Sequence, residues 1–196
     1  MRMYNDYHHM IDCMKNTWQV PDRQTVYEHC VAVRNRALDL YDHIVSGKEL
    51  KYEWKIPEWL VSYKEVIRLE LIHHTPRSVV DRYAYYHDCG KPLVAEFRGG
   101  KMHFTGHEWY SEYVYKGFLR NDRAVIRLIK NDMLIHRSRA CDVEKIKALR
   151  ERMALLIVSL SEVHANAELF GGVDSESFRI KWKKVNTRGR ALFKLL

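Results

Sequence analysis

Four histidines fall on the apolar stripes of four separate helix-forming segments, and this constrains the fold more than any other feature of the chain. His29 lies at the edge of the stripe made by Val26, Val33 and Ala37, and His107 precedes Tyr110 and Val114 at steps of three and four. His136 follows Val125, Ile129 and Met133, and His164 shares one face with Met153, Ile157, Leu160 and Ala167. Such spacing is helical and turns each ring inward. One buried histidine alone satisfies itself by hydrogen bonding. Four of them on inward faces are unusual for a core without a metal.

The same periodicity organises the rest of the chain. Val26, Cys30, Val33, Ala37, Leu40 and Ile44 predict a long helix from about Arg23 to Val45. Further helices are predicted at Glu58–His73, Arg77–His87, Gly106–Leu119, Asp122–His136 and Asp142–Leu169. Gly99-Gly100, flanked by short alternation, predicts one short β-hairpin. The expected architecture is all-α, a single domain with that hairpin. Gly171-Gly172 is the clearest break, giving a domain over residues 1–172 and a basic C-terminal segment over 173–196. Phe178, Trp182 and Phe193 favour packing of that segment on the core as a helix; the competing reading is an arm for RNA or for an anionic substrate.

Within this frame, Tyr86-His87-Asp88-Cys89-Gly90-Lys91-Pro92 sets two metal-ligating residues side by side and stops their helix at once. Gly90 tolerates the left-handed geometry past a helix end, and Pro92 cannot continue the helix. By itself a His-Asp pair reads as a surface polar couple. Here it is followed by Phe97-Arg98-Gly99-Gly100-Lys101-Met102-His103-Phe104-Thr105-Gly106-His107-Glu108 and preceded by Thr25-Val26-Tyr27-Glu28-His29. Together these residues resemble the HD superfamily of metal-dependent phosphohydrolases, closest to the HD domain of tRNA nucleotidyltransferases and their stand-alone relatives. That family carries HDxGKP, a hairpin, then Phe-x-Gly-His-Glu opening a helix, with Thr-x-x-x-His on its first core helix. The resemblance runs from about Thr25 to Phe170 and is strongest from Tyr86 to Tyr113.

The resemblance implies a divalent transition metal centre of one or two ions. Asp88 bridges the ions, or holds one and orients its water; His29, His87 and His164 hold the first ion, and His107 and His136 the second. A metal-bound hydroxide then attacks phosphorus. Asp88, Lys91 and Glu108 are the expected catalytic residues: Lys91 either meets the phosphoryl oxygens or complements the helix dipole, and Glu108 orients His107 or a water. The implied substrates are 2′,3′-cyclic phosphates, nucleoside monophosphates or RNA 3′ ends. The alternative is an RNA-binding or regulatory module with a degenerate site.

Two positions depart from the family pattern. Where an Asp among small residues usually closes the site, the chain has Val163-His164-Ala165-Asn166-Ala167, with Glu162 and Asn166 nearby but off the apolar face. A histidine there removes one negative charge, which favours Mn, Fe, Co, Ni or Zn over Mg, or marks lost activity. On the preceding helix the ligand is Asp132, His136 or both, with His136 favoured because it is nearer the centre of the stripe.

The net charge of +8 suggests an anionic partner such as a nucleotide, with RNA also open. No apolar run approaches the ~20 residues of a membrane span and the N-terminus has no hydrophobic signal core, so a cytoplasmic location without membrane contact is expected. Cys13, Cys30, Cys89 and Cys141 are far apart, without a C-x-x-C, and read as reduced, mostly buried thiols.

Overall fold

The computed structural model describes residues 4, 6–118, 122–137 and 142–194. In chain order the elements are α1 (Tyr7–Asn16), β1 (Trp18–Val20), β2 (Gln24–Thr25), α2 (Val26–Ser46), α3 (Glu58–Ser62), α4 (Lys64–His74) and α5 (Arg77–Tyr86). Then follow α6 (Lys91–Val94), β3 (Glu96–Arg98), β4 (Lys101–His103), α7 (His107–Phe118), α8 (Arg123–Lys130), α9 (Leu134–Arg137), α10 (Val143–Lys147), α11 (Arg152–Ala167) and α12 (Glu176–Phe193). The architecture is all-α with a short hairpin. In that hairpin Phe97 pairs with Met102 across Gly99 and Gly100, whose positive φ angles of 58° and 74° suit a tight two-residue turn. A second small pair, β1 with β2, joins Trp18 to Thr25 and is not foreshadowed by the alternation pattern.

Helix α2 is the central rod, with α5 and α11 packed along it and α12 laid on α11. Its start is set locally. The Thr25 hydroxyl accepts from the Glu28 N–H at 3.2 Å, while the Glu28 carboxylate accepts from the Thr25 N–H at 2.8 Å. This reciprocal cap satisfies two orphan donors and fixes His29 in the first turn. Helix α11 is buried nearly all round, from Met153 to Ala167, as expected of a helix apolar on every face. Among the described residues no helix is long and apolar enough to cross a membrane.

Three predicted helices are broken in the fold, and one break matters for the site. Glu58–His73 divides at Tyr63, and Asp142–Leu169 divides between α10 and α11. Asp122–His136 divides at Asn131, whose side-chain amide donates to the Arg127 carbonyl at 2.8 Å. That bond offers the backbone an alternative to the helical ladder. Helical arithmetic that runs straight from Val125 to His136 therefore fails at the turn.

Helix α12 packs its aromatic and aliphatic face inward. Phe178, Val185, Leu192 and Phe193 are buried, and Phe193 stacks on Tyr63 at 4.6 Å between ring centroids. Cys13, Cys30 and Cys89 are free thiols, the last two buried; Cys141 lies outside the described residues.

Candidate metal centre

The centre is built where the first turn of α2 meets the end of α5. The α5 helix ends at Tyr86, and the turn His87–Gly90 leads directly into α6. Gly90 is right-handed here (φ −85°), which corrects the expected left-handed stop. Glycine is needed instead for close approach: a Cβ at residue 90 would lie 2.2 Å from the backbone nitrogen of Ser111 in α7. The Gly90 N–H donates to the Ser111 hydroxyl at 2.9 Å, so the two segments are tied as well as close. Pro92 sits in the first turn of α6, where its missing N–H costs nothing, and begins a helix there.

Four of the predicted residues come together. The Asp88 carboxylate is 1% exposed, with His29 Nε2 at 3.3 Å and His87 Nε2 at 3.1 Å from Oδ2, and His107 Nε2 at 3.2 Å from Oδ1. Two ring orientations are set by the main chain, since His87 Nδ1 bonds the Ala84 carbonyl and His107 Nδ1 the Phe104 carbonyl, each at 2.9 Å. This leaves Nε2 of both rings facing the carboxylate. Lys91 Nζ lies 2.6 Å from Asp88 Oδ2 and donates to Gln19 Oε1 at 3.1 Å. Lys91 is thus turned into the cluster.

Asp132, rather than the favoured His136, joins them. Asp88, His107 and Asp132 form one group of atoms within 4.8 Å of each other, and His29, His87 and Asp88 form another. The turn after α8 swings Asp132 inward to 4% exposure, and the Tyr83 hydroxyl donates to its Oδ1 at 2.6 Å. His136 instead pairs with Glu162 at 3.0 Å. The broken helix explains this correction, because residues 132 and 136 no longer belong to one continuous helical register.

His164 is also corrected. Its Nδ1 bonds the Leu160 carbonyl at 2.8 Å and its Nε2 accepts the Lys55 N–H at 3.0 Å, while Trp54 and Phe178 cover the ring. No lone pair is left for a metal. Burial lowers its pKa to about 4, so the ring is neutral. Glu108 does not orient His107: at 3.6 Å from its Nδ1 it is too distant for a hydrogen bond, and it accepts from Arg137 at 2.5 Å. The Phe104 carbonyl does the orienting.

The electrostatics centre on Asp88. Burial alone would raise its pKa, but His87, Lys91, His107 and His29 outweigh burial and hold the carboxyl well below its usual range. Burial disfavours the His87 cation, yet Asp88 dominates and raises that ring to about 9. For His29 burial wins, and its pKa is lowered. Asp132 is raised by burial and by the like charges of Glu162 and Asp88, against the pull of His87.

Whether these residues suit a metal can be tested on their unsatisfied atoms. Both nitrogens of His29, Nε2 of His87 and both oxygens of Asp88 are buried and form no hydrogen bond, although they crowd within ion-pair distance. Buried polar atoms without partners are costly, and an ion ligated by converging imidazoles and carboxylates would satisfy His29 Nε2, His87 Nε2 and the Asp88 oxygens, leaving His29 Nδ1 aside. The set His29, His87, Asp88, His107 and Asp132 could therefore hold a metal ion. No family model matches the chain, and neither does any curated protein or solved structure.

Proposed function

We propose that this chain is a metal-dependent phosphohydrolase of nucleotide phosphate esters. The observation that carries the reading is one buried carboxylate, Asp88, shared by two ligand groups and bordered by a buried lysine. The motif resemblance of His29, His87-Asp88, Lys91 and His107 supplies the reaction class. His29, His87, Asp88, His107 and Asp132 would hold a divalent ion, and its chemistry would be to acidify water and polarise phosphoryl oxygens. Three imidazoles favour Mn, Fe, Co, Ni or Zn over Mg. With Asp132 present and His164 absent, the ligand set carries two carboxylates.

The protein's own groups do the rest. Asp88 accepts hydrogen bonds from an attacking water and keeps its charge at neutral pH, because cationic neighbours hold its pKa low. Lys91 stays protonated despite burial, since Asp88 and Glu162 outweigh the cost, and offers its ammonium to a phosphoryl oxygen. Gln19 and Tyr83 position Lys91 and Asp132 respectively. Substrates of this site are 2′,3′-cyclic phosphates, nucleoside monophosphates or RNA 3′ ends.

The test combines metal analysis of the purified protein with phosphate release from a nucleotide panel in Mn or Co. Asp88→Ala is expected to lose bound metal and to lower turnover at least ~1,000-fold, as loss of a principal electrostatic group does. Full turnover in that variant, or metal binding without hydrolysis of any phosphate ester, sinks the reading.

A further inference from the structure

Helix α12 reconciles two roles that the sequence sets against each other. Its apolar side is buried, while Arg179, Lys181, Lys183, Lys184, Arg190 and Lys194 all project to solvent from the helix and its C-terminal cap. At 1.5 Å per residue, these cations extend over roughly 22 Å. The helix has a single acidic residue, Glu176 in its first turn.

Several surface cations elsewhere pair with carboxylates, as in Arg77–Asp42, Arg82–Asp122 and Lys116–Glu112. On α12, Arg190 lies 3.5 Å from Glu58, and the other five make no ion pair among the described residues. At about 100° per residue, Arg179, Lys183, Arg190 and Lys194 share one strip of the helix, while Lys184 and Lys181 spread across the rest of its solvent-facing arc, Lys181 over the Phe170 ring. Helix α12 also packs on α9, whose His136 pairs with Glu162 of α11.

We infer that the exposed face of α12 binds the phosphodiester backbone of a nucleic-acid strand. This cationic surface complements backbone phosphates, and its affinity comes from charge neutralisation and counterion release rather than from base recognition. The binding does not rest on the phosphohydrolase reading.

The full chain is titrated against fluorescein-labelled oligoribonucleotide and oligodeoxyribonucleotide of one sequence, over a range of salt. Combined Lys181→Gln, Lys183→Gln and Lys184→Gln is expected to weaken binding at least about ten-fold and to flatten the log K against log salt slope by about one for each phosphate that is no longer neutralised. Lys15→Gln, Lys51→Gln and Lys130→Gln remove the same charge from other surfaces and are expected to retain most of the affinity. A preference between the two strands separates RNA from DNA as the partner. Binding is read without turnover, so failure of the hydrolysis reading leaves this outcome readable. Equal loss in both triple variants, or binding to phosphatidylserine vesicles without binding to either oligonucleotide, overturns the inference; thermal unfolding confirms that each variant is folded.

Discussion

At the scale of single residues, the same side chain does opposite things according to where its lone pairs go. His29 keeps both ring nitrogens free of hydrogen bonds beside Asp88, whereas His164 uses both on backbone groups. The difference has a consequence for stability. His164 has a folded pKa of about 4 against an ordinary 6.5, so the unfolded chain binds the extra proton first as pH falls. Its contribution is complete above pH 6.5 and is lost as pH drops toward 4. In urea unfolding, the stability difference between the parent and His164→Gln should shrink by about 3 kcal/mol between pH 7 and pH 4. A difference that stays constant across that window would show that the ring protonates in place. Neither role is visible in the apolar stripe that carries His164, because the stripe reports burial and the second partner, the Lys55 N–H, comes from outside the helix.

At the scale of elements, the site depends on how one turn is pressed against a neighbouring helix. The turn carrying His87 and Asp88 contacts the backbone of α7 at Gly90, and α7 carries His107 at its start. Gly90→Ala would drive a methyl group into the Ser111 nitrogen and the Tyr110 carbonyl carbon, with no flexible side-chain tip to give way. Overpacking of this kind costs about 3 kcal/mol. The variant should lower the urea midpoint and weaken metal affinity together, because separating the turn from α7 moves Asp88 away from His107. Loss of stability with unchanged metal affinity would mean that the two segments are not coupled. The hairpin at Gly99-Gly100 was legible in the sequence, since local turn chemistry specifies it, whereas α2 starts at Val26 behind the Thr25 cap rather than at the expected Arg23. The interruption at Asn131 was not legible, as an asparagine inside an apolar repeat does not reveal which backbone group its amide will choose.

For the molecule as a whole, α12 joins the C-terminal segment to the core through Phe178, Val185, Leu192 and Phe193, and Gly189 lets Trp59 approach its backbone. Burial of four such side chains is worth roughly 8 kcal/mol, comparable with the whole stability of a typical domain. A chain ending at Gly172 should therefore lose cooperative unfolding and metal binding together, as followed by circular dichroism and metal titration. A truncated protein that unfolds cooperatively and retains its metal would make α12 an appendage.

Residue order by itself determined the helical class, the hairpin, and the four residues His29, His87, Asp88 and His107 that converge. Those features follow from periodicity and from short-range chemistry within a few positions. Only tertiary structure decided between Asp132 and His136, removed His164 from the cluster and turned Lys91 onto Asp88. Each of those outcomes rests on a break in helical register or on a partner distant in the chain, such as Lys55 for His164 and Gln19 for Lys91. Helical spacing tells which way a side chain faces within one element, but which groups meet it there is settled when the elements pack.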